Sequence, residues 1–229
     1  MTNPQYPPET LAIILFGSHA RGDNDGSSDQ DFCVIVEDVS FQRFIEIKAE
    51  LSCILKTSCE SVSIYLRETT ETMASEGSLF IHHLQAEGQL IFDRRDWVPS
   101  LYSYLHRFEN HLSQLSSYRE LLDDLIDDSA SSGLLECELH LLQMLVRNTA
   151  IVMCSSKGVL NFGRTSAFAE AKSKYPDAPF DDQIFRELTD WHLTYERGVQ
   201  TRVILPSLER QKEYIENVDS LLLYCVSCF

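Results

Sequence analysis

The 229-residue chain is short of positive charge: Lys and Arg total 19 against 35 Asp and Glu, a formal net charge of −16. A non-specific nucleic-acid binder needs a basic stripe to release counterions, so nucleic acid is not an expected partner. Protein partners, or small nucleotides carried in with a metal, suit this balance better. The chain also lacks any apolar run near the roughly 18 residues of a membrane span, and no membrane partner is expected. Its opening, "MTNPQYPPET", lacks the charged-then-apolar pattern of an export signal. Seven cysteines without such a signal are expected to be reduced thiols in a cytoplasm, and the odd count argues against a closed disulfide framework. Cys225 and Cys228 form the one CxxC; with no second pair, no metal or redox role is expected of it. No internal repeat or low-complexity segment is apparent.

What the chain does have is apolar residues, 44% of the total, ample for a packed core in one or two domains. Up to about residue 97 strands and helices alternate. "LAIILF" (11–16) and "DFCVIVED" (31–38) read as short buried strands. "FQRFIEIKAELSCIL" has helical spacing, with Ser40 as the expected N-cap. "SVSIYL" (61–66) alternates as a half-buried strand does. "ETMASEGSLFIHHLQAEG" predicts a helix broken near Gly77 and closed at Gly88, and "QLIFD" one more strand. This alternation predicts an α/β domain with a mixed sheet over residues 1–97.

After "RRDWVPS" the pattern changes. Apolar or aromatic residues at 101, 105, 108, 112, 115, 118, 122 and 125 predict one long amphipathic helix. Further helices are expected at about 134–154, 165–174, 181–196 and 206–225. No strand pattern follows residue 100. Pro99 punctuates the change, and residues 98–229 are expected to form an all-α helical bundle.

The stretch that carries chemistry is "LFGSHARGDNDGSSDQDF" (15–32). A strand ending in Gly17-Ser18 can turn sharply, and free N–H groups after such a turn attract an anion. Ser18 can add a hydroxyl to a phosphate oxygen. The chain then crosses a polar loop and enters the next strand at Asp29-Gln30-Asp31. Residues i and i+2 of a strand project to one face, so Asp29 and Asp31 are expected side by side. Two carboxylates so close are costly unless a cation lies between them, and Mg²⁺ is commonly held by one or two carboxylates plus substrate phosphates. A phosphate-gripping turn beside a dicarboxylate is the chemistry of nucleotidyl transfer.

"GSHARGDNDGSSDQD" resembles the G-S-x10-D-x-D signature of the DNA polymerase beta-like nucleotidyltransferase superfamily, in its minimal nucleotidyltransferase branch. Gly17, Ser18, Ala20, Arg21, Gly22, Ser28, Asp29 and Asp31 fit the pattern G-S-x-A-R-G followed by S-D-x-D. "EGQLIFD" is similar to the end of that domain, so the resemblance covers roughly residues 9–96. It implies Mg²⁺ on Asp29 and Asp31, with Gly17, Ser18, Arg21 and Ser28 holding the nucleotide. It also implies transfer of an NMP, with AMP expected first, from an NTP to a hydroxyl of a small molecule or a partner protein. The acceptor is expected between the two domains.

The helical remainder is similar, more weakly, to the companion helices of kanamycin-type nucleotidyltransferases and to HEPN bundles. A HEPN-type toxin partner and a homodimer are both compatible with this. The Arg-x4–6-His motif of HEPN ribonucleases is missing: no histidine follows Arg147 until His192, so ribonuclease activity is not expected. The superfamily usually carries a third acidic residue, which by pattern falls in "CESVSIYLRE". Ser61 and Ser63 occupy the polar face of that strand. Glu60 is therefore the nearest catalytic candidate, and a kink or bulge is needed to aim it inward; Glu68 lies at the far end. If only two carboxylates exist, the alternative is a weak or inactive nucleotide- or partner-binding module, such as an antitoxin or regulatory subunit.

Two other groups have bland and functional readings side by side. His82 and His83 are adjacent on a helix and cannot face one another, so one is expected to pack and the other to be exposed. The segment 155–168 holds Lys157, Asn161 and Arg164, which serve either as substrate contacts or as ordinary helix-connection chemistry.

Overall fold

The computed structural model describes residues 5–24, 29–129, 132–196 and 204–229. The chain divides into two compact units, residues 1–108 and 109–229. The first unit runs β1 (Thr10–Phe16), α1 (Gly17–Arg21), β2 (Asp31–Val36), α2 (Phe41–Leu55), β3 (Val62–Leu66), α3 (Arg67–Ser75), α4 (Leu79–Glu87), β4 (Gln89–Asp93) and α5 (Trp97–Ser103). Its sheet has the order β3-β2-β1-β4. β1 is antiparallel to β2 and β4, while β2 and β3 are parallel, so the sheet is mixed as expected.

Both faces of this sheet are covered, which is why β1 and β2 read as unbroken apolar runs rather than alternating ones. On one face Ile13, Phe32, Val34, Val36 and Val62 pack with Ile47 and Leu51 of α2. On the other, Ala12, Ile14, Cys33 and Ile35 pack with Ala74, Ile81, Leu84, Val98 and Leu101 from α3, α4 and α5. The Ser40 hydroxyl accepts from the Arg43 N–H at 3.3 Å and caps α2, as its place in the sequence predicts. Arg43 then reaches Glu9 at 2.8 Å and Glu50 at 2.7 Å, tying the helix to the approach to β1.

The expected long helix from Leu101 is not continuous. α5 ends at Ser103, and the next helix, α6, starts at His111. Tertiary contacts override the spacing between them. The His106 N–H donates to the Ala74 carbonyl at 3.0 Å, and His82 Nε2 donates to the His106 carbonyl at 3.0 Å. Gly77, at φ +71°, lets this segment lie on the α3–α4 turn; a Cβ there would stand 2.5 Å from the Arg107 carbonyl oxygen. With Val98 and Leu101 in the first core, α5 belongs to the first unit, and the division falls at Phe108/Glu109 instead of 97/98.

The second unit contains α6 (His111–Ser129), α7 (Glu136–Ser156), α8 (Ser166–Lys174), α9 (Asp182–Glu196) and α10 (Leu208–Val226). α7 packs against each of the other four helices, and residues around its whole circumference are buried, from Leu139 to Ser155. A helix apolar all round belongs inside a core. α9 and α10 are joined by Arg210, whose guanidinium donates two 2.9 Å hydrogen bonds to Glu187. That pairing holds the Glu187 carboxyl down at about 2. Among the described residues no helix is long and apolar enough to cross a membrane.

If α5 is part of the first core, Leu101→Ala removes a side chain only 2% exposed and is expected to cost about 2–5 kcal/mol. Thermal unfolding followed by circular dichroism checks this; a change within about 0.5 kcal/mol, the range of surface substitutions, would place α5 outside the core.

Candidate active site

The antiparallel register of β1 and β2 pairs Phe16 with Asp31. The last residue of one strand therefore lies beside the first residue of the other, and both project to the same face. Immediately after Phe16 the chain turns through Gly17 at φ +73°, a conformation that favours glycine. A Cβ at this position would stand 2.6 Å from Asp31 Oδ2. The carboxylate thus lies directly over the glycine, and the missing side chain is what admits it. α1 follows for a single turn and ends at Gly22, again left-handed at φ 76°.

Of the residues expected here, Gly17 and Asp31 are brought together, and Ser18 is the next residue along the turn. Asp31 is half-buried. Asp29 is exposed and lies two residues before β2, in non-strand chain, so the strand alternation that would align the two carboxylates starts only at Asp31. Ser28 lies outside the described residues. The Asp31 carboxylate beside the glycine turn is an oxygen donor of the kind Mg²⁺ takes, with further ligands from water and substrate phosphates.

Arg21 is engaged within the protein. Its Nη1 donates to Glu87 at 3.0 Å and its Nε to Asp23 at 3.2 Å. His83 Nε2 reaches the same Glu87 oxygen at 3.1 Å, and its ring stands edge-on to Phe16. Gln89 Nε2 donates to the Ala20 carbonyl at 2.7 Å. Glu87, His83 and Gln89 therefore hold α1 against α4 and β4. Spacing gives no hint of these three at the site, because their contacts with Phe16, Ala20 and Arg21 span more than sixty positions; the His83–Glu87 pair alone is local. His83 is the buried member of the His82–His83 pair and His82 is only partly covered.

Glu60 does not come to the Asp31 face. The β2–β3 register runs without a bulge from Phe32↔Val62 to Val36↔Leu66, which places Ser61 beside Asp31 and Ser63 beside Cys33. Glu60 is exposed in the turn before β3. Its carboxyl is lowered first by its own backbone N–H and then by the Ser58 hydroxyl, so it faces its own turn. Ser61 is buried, and its hydroxyl is 3.0 Å from that of Ser58. Glu68 is exposed at the start of α3. The face that carries Asp31 thus continues across β3 with hydroxyls.

In the second unit, Asn161 Oδ1 accepts from the Gly163 N–H and the Ser166 hydroxyl, and Lys157 lies over the Tyr175 ring. Arg164 pairs with Glu196 at 3.6 Å. Ordinary helix-connection chemistry accounts for these residues. Cys225 is buried, which pushes its thiol up to about 12, whereas Cys228 is exposed.

Gly17→Ala tests the turn. The substitution combines a positive φ, costing about 1–2 kcal/mol, with a displaced carboxylate. A displacement of about 1 Å at a reacting centre can cost about 100-fold in rate. Nucleotidyl transfer is expected to fall by that order while far-ultraviolet circular dichroism keeps the native spectrum; undiminished transfer would contradict the placement.

Comparison with known families and structures bears on the same segment. The model of the family "Polymerase beta, Nucleotidyltransferase" matches residues 4–96. Curated protein sequences gave no match. Among solved structures, spectinomycin adenyltransferase AAD(9) from Enterococcus faecialis with ATP and spectinomycin aligns at 12% identity and TM-score 0.54, over 94% of this chain and 92% of that one. A toxin-antitoxin complex with AMP-PNP aligns at 17% identity and TM-score 0.32, over 55% of this chain and 90% of that one. The toxin-antitoxin MntA-HpeT mutant aligns at 16% identity and TM-score 0.31, over 54% and 89%. Only the first of these three carries weight, and it speaks to the fold alone. The family match covers residues 4–96, the segment that holds the glycine-serine turn and Asp31, and identifies that segment as a polymerase beta nucleotidyltransferase domain.

Proposed function

We propose that this nucleotidyltransferase moves an NMP, AMP first, from an NTP to a hydroxyl of a small molecule or a partner protein. Asp29 and Asp31 hold Mg²⁺, and Gly17, Ser18 and Ser28 hold the triphosphate. Arg21 serves the nucleotide from its place against Glu87. The observation that carries this reading is the Asp31 carboxylate lying over Gly17, at the junction of β1 and β2. When bound, the metal supplies charge neutralisation on the phosphates. The chain's own groups orient them: backbone N–H groups after Gly17 and the Ser18 hydroxyl donate to phosphate oxygens, and Asp31 is held in place by the strand register. The net charge of −16 favours a cationic acceptor over an anionic one. AAD(9) was solved with ATP and spectinomycin, which makes that pair the first donor and acceptor to test.

The runner-up is a binding module without turnover. Ser61 and Ser63, where a third carboxylate would complete the face, favour it. Incubation with labelled ATP, Mg²⁺ and a panel of hydroxyl acceptors separates the two. In the enzyme reading the wild type releases pyrophosphate and labels an acceptor. Asp31→Asn then loses several kcal/mol of charge stabilisation, on the order of 100-fold or more in rate. Metal-dependent ATP binding without pyrophosphate release across the panel supports the binding module. No nucleotide binding at all would sink both.

Ser61→Asp adds a carboxylate beside Asp31. Isothermal titration is expected to show tighter Mg²⁺ binding than in the wild type; unchanged affinity would mean that position 61 does not face the metal.

A further inference from the structure

α7 and α9 of the helical unit bring two histidines and a glutamate together. His192 and Glu196 lie one turn apart on α9, with His192 Nε2 at 3.2 Å from Glu196 Oε2. From α7, His140 Nδ1 stands 2.9 Å from His192 Nδ1, and the two rings are nearly parallel, with centroids 4.6 Å apart. One ligand atom from each of the three residues lies within 4.8 Å of the other two. His192 is buried, His140 is half-buried and Glu196 is exposed, so the cluster has a dry floor and an open side.

The electrostatics favour a cation over protons. Two imidazoles this close cannot both be charged without repulsion. Burial first, and His192 second, hold His140 below its ordinary value, so near neutral pH it offers a lone pair. The hydrogen bond from His192 keeps the Glu196 carboxyl low and ionised. Two other groups face the cluster. Arg164 Nη2 lies 3.6 Å from Glu196 Oε2, the oxygen that also faces His192, and the Tyr195 ring packs on His140 with centroids 4.8 Å apart.

We propose that His140, His192 and Glu196 form a binding site for one divalent transition ion of the Zn²⁺ class, joining α7 to α9. Two imidazole nitrogens and one carboxylate oxygen are a three-ligand zinc set that leaves the fourth position to water. At metal–ligand distances of about 2.0–2.1 Å, tetrahedral ligands stand roughly 3.3 Å apart, so the three ligand atoms, which lie within 4.8 Å of one another here, need only a side-chain adjustment to converge. His192 turns its two nitrogens to different partners, so loading moves the Glu196 or His140 side chain, both of which reach the open side. The nitrogen-rich set selects against Mg²⁺, which prefers oxygen, and so separates this site from Asp29 and Asp31. The site ties together two helices that meet across more than fifty residues of sequence.

The test uses the full chain, stripped with chelator and reloaded with Zn²⁺ or Co²⁺. After gel filtration, metal analysis is expected to find one ion per chain. The Co²⁺ form is expected to show visible bands of a nitrogen- and oxygen-ligated site, and Zn²⁺ to raise the melting temperature. Glu196→Gln and His140→Gln alter side chains on the open side. Each is expected to weaken binding by at least the roughly 10–100-fold that loss of even an outer partner costs. Their melting in the metal-free state should match that of the wild type, which excludes unfolding as the cause. Asp29→Ala/Asp31→Ala is expected to keep the ion. Absence of stoichiometric metal in the wild type, retention in both variants, or an intense thiolate band in the Co²⁺ spectrum would each overturn the proposal.

Discussion

The candidate active site depends on one close approach: the Asp31 carboxylate over the α-carbon of Gly17. It exists because β1 and β2 pair with Phe16 opposite Asp31, and because Gly17 has no Cβ, which would stand 2.6 Å from Asp31 Oδ2. A slip of one residue in that pairing would turn Asp31 to the other face and bury it against α2. The register is secured by the apolar residues that flank it. Ile13 and Val34 point to one core, and Ile14 and Cys33 to the other. Burial on both faces leaves no room for a slip, so the core packing is also what places the carboxylate.

The same register limits what the site contains. Continued across β3 it aligns Ser61 and Ser63 with the Asp31 face and leaves Glu60 in a turn, held by its own backbone N–H and by Ser58. The proposed metal-binding half of the site thus rests on the β1–β2 junction, while the rest of the face offers hydroxyls. That composition keeps two readings of the function apart, transfer and binding, which share the nucleotide grip and differ only in turnover. The clasp of Arg21, Glu87 and His83 adds a positional constraint: α1, a single turn long, gets its rigidity from α4 and not from its own hydrogen bonds.

The helical unit follows a different logic. α7 is buried along nearly its whole length, and the other four helices pack around it. Polar groups at its edges are joined by long-range pairs, such as His140 with His192 and Arg147 with the Phe162 carbonyl. Such pairs specify which helix faces which, where apolar packing alone would be permissive.

Much of this was legible in the sequence because the signals are local. Apolar periodicity separates strands from helices, and Ser40, Gly77 and Gly88 mark helix boundaries by backbone chemistry that acts within a few residues. The G-S-x10-D-x-D spacing is local as well, since one turn and one loop span it. The break after Ser103 was not legible: the spacing from Leu101 onward continues as if helical, and only the contacts of His106 with Ala74 and His82 stop it. The absence of Glu60 from the Asp31 face follows from the register of β2 with β3, and the pairing of His140 with His192 and Glu196 from the packing of two helices. The sequence by itself therefore determined the elements, the mixed α/β and helical classes, and the candidate turn with its aspartates, because these rest on propensity and short-range geometry. The tertiary structure alone decided where the first unit ends, which side chains share a face with Asp31 and which distant polar groups meet, because those depend on cross-strand register and helix packing, to which spacing along the chain is blind.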